Sequence, residues 1–279
     1  MTKRPTTFIV FAVVLFGIGA AIFFHLQRQQ KIEREFQNYK MNGIFEFNKR
    51  QFGNAVQEFV TALHFKPKDV EVRTLIVSAY KKSQSYDLAV KFILDSLKLL
   101  PENPALLTEL GYVYLDWGKL DEATKVFQKL VDSKIDPLEG YDGLAEVEVK
   151  KKNYDEAIQY FKKSTPFLEI LIDQKREKEK VARSFHRQAL LTKEIGQIEL
   201  AKQYFLRMLK LTPFDLNLHF ELAQIYEYLK DKEKAEHYYS AFLQIAGPLH
   251  QEKIEFARQR LEALKHGEFL PPPPVIPLK

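Results

Sequence analysis

The side chains that most often perform chemistry in proteins occur in this chain without the spacing that a catalytic or metal site requires. The seven histidines are scattered, and no two of them have the short helical spacing of a zinc-binding pair. The chain contains no cysteine, which excludes thiol nucleophiles and thiolate metal ligands. No phosphate-binding loop of the GxxxxGK type occurs either. We therefore expect no enzymatic activity, no metal ion and no cofactor.

Neighbouring carboxylates occur at Asp121–Glu122 and at Asp155–Glu156, a pattern that could serve acid–base catalysis. Each pair directly precedes an alanine at the beginning of an apolar helical pattern, so both stand at the predicted start of a helix. Negative charge in the first turn of a helix is stabilised by the helix dipole. The sequence therefore predicts a structural role for these carboxylates.

The elements that position these side chains follow from an alanine that recurs at a fixed period. Successive copies are 34 residues apart, with one gap of 44, at Ala55, Ala89, Ala123, Ala157, Ala201 and Ala235. An apolar, usually aromatic residue follows each alanine by four positions: Phe59, Ile93, Phe127, Phe161, Phe205 and Tyr239. Proline closes several units, at Pro67, Pro101 and Pro213. A period of roughly 20–50 residues is typical of a solenoid, in which one supersecondary unit is stacked repeatedly.

The fullest pattern comprises Leu107, Leu110–Gly111 and Tyr114, followed by Ala123 and Phe127. It resembles the tetratricopeptide repeat, and six units in register extend the resemblance over residues 36–249. The resemblance implies an all-α fold: a right-handed α-solenoid of about six helix–turn–helix units over residues 36–171 and 182–249. Small residues are expected where the two helices of a unit cross, at Gly43, Gly111, Ala145, Ala189 and Ala223.

The gap of 44 contains ten additional residues, because the other gaps are 34. They fall near residues 172–181, a charged stretch that reads IDQKREKEKV. We expect a lengthened helix there, since a solenoid tolerates an insertion as a protrusion or a change of pitch. Basic residues predominate from Lys175 to Arg187, where they could contact anionic lipid or an acidic partner, although a solvated helix is the preferred interpretation.

The N-terminal segment contains seventeen successive residues, 8–24, without a polar side chain. We expect a transmembrane anchor at residues 8–26, between a short tail at 1–7 and a juxtamembrane linker at 27–35. The alternative is a cleaved signal peptide, but the apolar run is long for one and the sequence after it is a poor cleavage site.

The orientation of this single-pass anchor is not fixed by charge, since two basic residues precede it and three follow soon after. That tally favours a cytoplasmic solenoid. Large domains translocate regardless of local charge, and a cysteine-free chain suits an oxidising compartment. We expect the repeats on the extracytoplasmic side of a bacterial inner membrane.

The chain has 42 basic and 37 acidic residues, a net charge of +5 that does not indicate nucleic-acid binding. After the last repeat, apolar residues at helical spacing predict a capping helix at residues 250–267, with Ile254, Ala257, Leu261 and Leu264 on one face. A proline-rich tail follows at residues 268–279.

In the family that the chain resembles, the first helices of successive units line a concave groove that binds proteins. The residues at the matching positions are Lys40, Ile44, Phe47, Thr74, Ser78, Lys81, Thr108, Tyr112, Leu115, Asp142, Glu146, His186, Leu190, Lys193, Phe220, Gln224 and Glu227. Their mixture of apolar anchors and both charge signs suits an extended peptide or a helix of a partner protein. Several of the apolar ones could instead complete the core.

Some members of the family grip a C-terminal carboxylate with a lysine–asparagine pair in the first unit and basic residues in a later unit. Lys40 matches the lysine, but Ile44 stands in place of the asparagine. Thr108 and Tyr112 occupy the later basic positions. The resemblance therefore does not predict this clamp.

These features predict a membrane-anchored scaffold or adaptor that binds a partner protein or peptide in envelope assembly, secretion or a chaperone-like process. The alternatives are an adaptor that faces the cytoplasm and a purely structural, non-catalytic subunit of one fixed complex. A second copy of the chain is a further candidate partner.

Overall fold

The computed structural model describes residues 5–174 and 177–271, with side chains from residue 22 onward. The regular structure in these ranges is helical throughout, with thirteen α-helices and one short 3-10 helix. The α-helices are α1 (Pro5–Asn48), α2 (Phe52–Phe65), α3 (Val70–Lys82), α4 (Tyr86–Leu99), α5 (Pro104–Asp116), α6 (Leu120–Asp132), α7 (Pro137–Lys150), α8 (Tyr154–Asp173), α9 (Lys178–Glu194), α10 (Ile198–Leu211), α11 (Leu216–Tyr228), α12 (Lys232–Ile245) and α13 (Gln251–Lys265).

The helices divide into two compact units. The N-terminal unit, Met1–Lys119, contains α1 to α5, and the C-terminal unit, Leu120–Lys279, contains α6 to α13. Within each unit, consecutive helices pack against one another, and an odd-numbered helix also contacts the next odd-numbered helix, as α3 contacts α5 and α7 contacts α9. The predicted all-α fold is confirmed over the described residues.

The recurring alanines occupy the positions that the repeat predicts. All six lie on even-numbered helices, and their side chains are fully buried. The residue four positions later is buried as well, at most 1% exposed in each unit. Ala145, for example, packs with Ala157 and Phe161 in one apolar cluster. A small side chain at the alanine lets two helices approach, and the aromatic ring fills the space beside it.

Two glycines mark close approaches between helices. A β-carbon added to Gly43 of α1 would lie 2.4 Å from the ring of Phe59, and one added to Gly143 of α7 would lie 2.3 Å from the ring of Phe127. Gly43 was predicted to lie at a helix crossing. Gly143 was not, because the repeat pattern assigned the small residue of that unit to Ala145, two positions later.

The helix ends follow local rules. The odd-numbered helices α3, α5, α7 and α11 begin after an aspartate or asparagine whose side chain accepts the backbone N–H three residues on, as Asp69 accepts from Val72 at 2.8 Å. The turn inside each pair contains a residue with positive φ, five positions before the recurring alanine. Gly118 and Gly196 occupy two of these turns at no steric cost, and Arg50 occupies the first at φ 62°.

The expected juxtamembrane linker at residues 27–35 is instead part of α1, which runs without a break through Asn48. The physical reason is local, since the sequence QRQQKIERE contains good helix formers and neither proline nor glycine. The predicted anchor at residues 8–26 lies mostly outside the residues whose side chains are described. Among the described residues, none of the helices combines the length and the hydropathy that crossing a bilayer requires.

The insertion lengthens the helices on both sides of it. Helix α8 has 20 residues, whereas the other even-numbered helices have 13 or 14. Helix α9 has 17 residues, whereas α3, α5, α7 and α11 have 13 or 14. One continuous helix through residues 172–181 is not present, because α8 ends at Asp173 and Glu177 has φ 50° before α9 begins. Residues 175–176 lie outside the described residues. Glu177 makes no side-chain cap, so the insertion has replaced the aspartate or asparagine cap of the other units.

Helix α13 lies where the capping helix is predicted, and it packs on α12 with Ala257 and Leu264 fully buried. The chain then turns back onto the C-terminal unit. The ring of Phe269 packs against the core, so the first residues of the expected proline-rich tail are part of the fold. Residues 272–279 lie outside the described range.

Candidate protein-binding face

The residues predicted to line a groove all lie on odd-numbered helices. They occupy α1, α3 and α5 in the N-terminal unit and α7, α9 and α11 in the C-terminal unit. We call the exposed surface of these helices the odd-helix face. Each unit has its own part of this face.

In the N-terminal unit, ion pairs cross from one odd-numbered helix to the next. The Lys40 ammonium of α1 lies 2.6 Å from the carboxylate of Glu71 on α3. The Lys81 ammonium of α3 lies 3.0 Å from the Asp116 carboxylate and 5.9 Å from the ring centre of Tyr112, both on α5. Three predicted residues, Lys40, Lys81 and Tyr112, therefore belong to one connected surface. Ile44, Phe47, Thr74, Ser78 and Thr108 are half-buried on the same helices.

The C-terminal unit repeats this arrangement. The Arg187 guanidinium of α9 lies 3.2 Å from the Glu146 carboxylate of α7. The Lys193 ammonium of α9 donates to Glu221 at 2.6 Å and to Gln224 at 3.0 Å, both on α11. Between these polar contacts, the side chain of Leu190 is 39% exposed. An apolar side chain surrounded by polar contacts is similar to the apolar core and polar rim of protein interfaces.

Four predicted groove residues, Leu115, Asp142, Phe220 and Glu227, are instead buried against the protein's own core, each at most 7% exposed. The ring of Phe220 lies 5.1 Å from that of Phe242 and 5.6 Å from that of Phe256, so it joins α11 to α12 and α13. The terminal helix α13 covers this part of α11 and contributes to the burial of Phe220 and Glu227.

Asp142 lies in a fully buried polar cluster that joins α7, α8 and α9. Its carboxylate accepts hydrogen bonds from the Ser184 hydroxyl and, at 3.0 Å, from Gln188 Nε2. The same Gln188 nitrogen lies 2.9 Å from the Ser164 hydroxyl. Burial raises the pKa of the Asp142 carboxyl to about 6, although these hydrogen bonds oppose the shift.

Glu139 stands one turn before Asp142 on α7 and is 7% exposed. Burial and the neighbouring Asp142 and Asp136 carboxylates raise the pKa of Glu139 to about 7. The Arg187 guanidinium lies 3.3 Å from its carboxylate and partly balances the charge. Arg187 thus bridges two acidic residues of α7, the buried Glu139 and the half-buried Glu146.

Glu227 holds the segment around Leu270 against α11. Its carboxylate is fully buried and accepts hydrogen bonds from Arg260 Nε, the Tyr239 hydroxyl and the Leu270 backbone N–H, each at 2.9 Å. The Arg260 guanidinium forms a second bond to the same carboxylate and donates at 2.8 Å to the Glu268 carbonyl. Sequence reasoning missed Arg260, because a surface arginine on a capping helix carries no signal of its buried partner.

His186 lies apart from the other predicted residues of its unit. It lines a surface depression of about 350 Å³ where α9 begins, together with Arg183, Met208 and Asp215. The histidine ring is half-buried there. Over the residues that the structure describes, no three histidine, aspartate or glutamate side chains are grouped so that they could hold a metal ion.

Comparison with known proteins agrees with the repeat architecture. Residues 104–134, 138–165 and 216–247 match the family model described as tetratricopeptide repeat. The crystal structure of the APC/C hetero-tetramer Cut9–Hcn1 superposes with a TM-score of 0.53 at 15% identity, over 82% of this chain and 46% of that one. This likeness concerns the fold alone.

A curated relative, the transcription factor tau 131 kDa subunit of Saccharomyces cerevisiae, is 32% identical over 129 residues. The match covers 46% of this chain and 12% of the yeast protein. The chain thus spans about an eighth of the length of this relative, and about half of the Cut9–Hcn1 chain.

The buried alanines recur at the same period as the helices, and the family match falls on three of the repeats. The described residues form an all-α fold in which three segments match the tetratricopeptide repeat, a scaffold of the kind that is suited to protein–protein interaction. Proteins built from such repeats are generally non-catalytic adaptors that bind protein partners.

Proposed function

We propose that this protein is a non-catalytic, membrane-anchored scaffold that binds a partner protein or peptide on its odd-helix face. The cross-helix ion pairs support this proposal best. Between fixed charges they leave side chains at least partly accessible in both units, such as the half-buried Tyr112 and the exposed Leu190. Such a surface offers anchors for an extended segment and charges that select its register.

Leu190 gives the sharpest test of this surface, because Ile245 provides a matched control. Leu190 lies on α9 and is 39% exposed, whereas Ile245 lies on α12 and is 42% exposed. Leu190→Ala and Ile245→Ala therefore remove similar apolar area from the two kinds of helix. The full chain, tagged and expressed in its source cells, is purified with each substitution, and the accompanying proteins are quantified by mass spectrometry.

The proposal predicts that Leu190→Ala reduces the amount of at least one accompanying protein about fivefold or more, a loss of about 1 kcal/mol of binding energy. Ile245→Ala should leave it unchanged. Equal losses with both variants, or a loss with Ile245→Ala alone, would place the binding surface elsewhere.

The anchor forms part of the same proposal. An apolar stretch of seventeen residues after Lys3 and Arg4 supports a membrane span at residues 8–26, with the repeats on the extracytoplasmic side of a bacterial inner membrane. Attachment to the membrane would raise the local concentration of the scaffold near a membrane-bound partner. A role in envelope assembly, secretion or a chaperone-like process would use this proximity.

The absence of native cysteine allows a direct test of topology. A Lys279→Cys variant in cells with a permeable outer envelope is treated with a membrane-impermeant maleimide, and lysed cells serve as the control. Labelling before lysis supports the extracytoplasmic orientation. Labelling only after lysis contradicts it and favours an adaptor that faces the cytoplasm.

A further inference from the structure

The N-terminal unit has a cavity of about 450 Å³ at the turn between α1 and α2. It is lined by Phe47, Asn48, Arg50, Phe52 and Lys82. This volume is within the range of about 300–1,000 Å³ that is usual for ligand pockets. The cavity lies at the end of the odd-helix face, because Phe47 belongs to α1 and Lys82 is the last residue of α3.

The lining combines two cations with two aromatic rings. The rings of Phe47 and Phe52 meet edge to face, 5.4 Å apart, and both are half-buried. Arg50 and Lys82 are exposed, and neither forms an ion pair with a residue that the structure describes. Their neighbours differ, since Lys49 pairs with Glu46. The cavity therefore has an apolar wall and two uncompensated positive charges.

Unlike the other even-numbered helices, α2 has no acidic side chain in its first turn, where Phe52 lines the cavity. Two positions before the recurring alanine, the other five units have an aspartate or glutamate in the first turn of the even-numbered helix, at Asp87, Asp121, Asp155, Glu199 and Glu233. The first unit has Gly53 there, next to Phe52. Sterics do not require this glycine, because an added β-carbon would meet no atom within 4 Å. The first turn of α2 therefore contains no carboxylate that could balance the charges of Arg50 and Lys82.

We propose that this cavity binds a partner segment in which an acidic residue is adjacent to an apolar one. The carboxylate would lie between Arg50 and Lys82, and the apolar side chain would contact Phe47 and Phe52. The occupant follows from charge complementarity, since the lining has two cations and no acidic residue. The inference rests on the proposed function, because it names the chemistry of the partner at one end of the odd-helix face.

The test uses the full chain in neutral detergent and an array of fluorescent eight-residue peptides. Central Glu–Leu and Asp–Phe pairs are compared with Gln–Leu and Asn–Phe pairs, and dissociation constants of the strongest binders are measured by fluorescence polarisation. Wild type should prefer the acidic peptide about tenfold, which corresponds to one charge-assisted hydrogen bond. Lys82→Gln should remove this preference. Lys68→Gln, a change at another exposed lysine of the same unit, should leave it intact.

Gly53→Asp is the most informative variant, because it supplies the missing carboxylate within the chain. It should weaken acidic-peptide binding about tenfold while making the N-terminal unit more resistant to unfolding, since the helix dipole favours an acidic residue there. Loss of binding cannot then be attributed to misfolding. Gly53→Asn tests the same position without the charge and should retain binding.

Equal affinity for acidic and amide peptides, or acidic-peptide binding that Gly53→Asp leaves unchanged, would overturn the inference. If the acidic and amide peptides bind equally but both bind more weakly to Leu190→Ala, the inference about the cavity is wrong and the proposed function stands. If the array shows the acidic preference and its loss with Lys82→Gln, but Leu190→Ala has no effect on any partner, the cavity is supported and the wider odd-helix face is not.

Discussion

Glu227 is a fully buried carboxylate whose partners come from three separate parts of the C-terminal unit: α12, α13 and the segment after α13. Two of its contacts come from one guanidinium, that of Arg260. Burial raises the pKa of the Tyr239 hydroxyl, so this group stays protonated and donates to Glu227. The charge of Glu227 is thus balanced only as long as Arg260 is present.

Arg260→Ala should lower the free energy of unfolding of the C-terminal unit by about 3 kcal/mol, because it leaves a buried carboxylate without its cation. It should also make the segment around Leu270 susceptible to protease. Arg258→Ala is the control, since Arg258 lies exposed on the same helix. Urea unfolding followed by circular dichroism measures both variants. Equal stability of the two would show that the Glu227 contacts contribute little.

The buried acids of α7 predict an unusual dependence of stability on pH. The folded pKa values of Asp142 and Glu139, about 6 and about 7, exceed the ordinary values of 3.8 and 4.5. The native state therefore holds protons that the unfolded chain has released between about pH 4 and pH 7. The two carboxyl groups therefore contribute most to stability near pH 4. This contribution to the free energy of unfolding is lost as the pH rises through their folded pKa values.

Asp142→Asn isolates this effect, because it preserves an oxygen that accepts from Gln188 and removes the ionisable group. As the pH rises from 5 to 8, the free energy of unfolding of the variant should increase relative to that of wild type by about 1–3 kcal/mol. Urea unfolding of both proteins at several pH values gives the difference. Parallel stability curves for variant and wild type would contradict the raised pKa of Asp142.

Sequence reasoning identified the surface positions of the repeat but not all of their environments. Leu190 and Lys193 are exposed or half-exposed on an odd-numbered helix, as the resemblance implied. Asp142 and Glu227 occupy equivalent helix faces, yet both are buried. Their partners, Gln188 and Arg260, lie on the following odd-numbered helix, and a repeat pattern within one unit contains no information about such contacts.

At the scale of the element, close helix packing depends on glycine at some crossings and merely tolerates it elsewhere. Gly143→Ala should destabilise the C-terminal unit by about 1–3 kcal/mol, because the new methyl group would overlap the ring of Phe127. Gly53→Ala, also within a helix but facing open space, should stabilise the N-terminal unit by about 0.5–1 kcal/mol. Thermal unfolding of both variants checks the pair, and a gain of stability with Gly143→Ala would show that α6 and α7 are less closely packed.

The helix boundaries show which local rules are decisive. Asp69 and Asn103 cap the N-termini of α3 and α5, and the period of the recurring alanine gives the position of the helix that follows each of them. These elements could therefore be predicted from the sequence. The break near Glu177 could not, because residues 172–181 contain helix formers without a proline, a glycine or a clear cap. The continuous α1 was also not predicted, since a domain boundary was assumed where the amino acids favour helix.

At the scale of the whole molecule, the number and order of the helices follow from the repeat, and the identity of the partner does not. Six copies of one pattern predict six helix pairs, because a single pair cannot bury its own apolar face. The cavity beside Phe52 was not predicted. The sequence does contain one relevant feature, Gly53 in place of an acidic residue. The cavity itself, however, also depends on the position of Lys82, the last residue of α3 in the next helix pair.

The most direct test of the odd-helix face is photocrosslinking in the source cells. A benzophenone amino acid is introduced at Ser78 of α3 or His186 of α9, and at Leu94 of α4 or Ile245 of α12 as controls. Irradiation should join a partner protein of one mass to the first two positions and not to the controls, as gel mobility and mass spectrometry would show. Adducts at Leu94 or Ile245 alone, or none at Ser78 and His186, would contradict a binding surface on the odd-numbered helices.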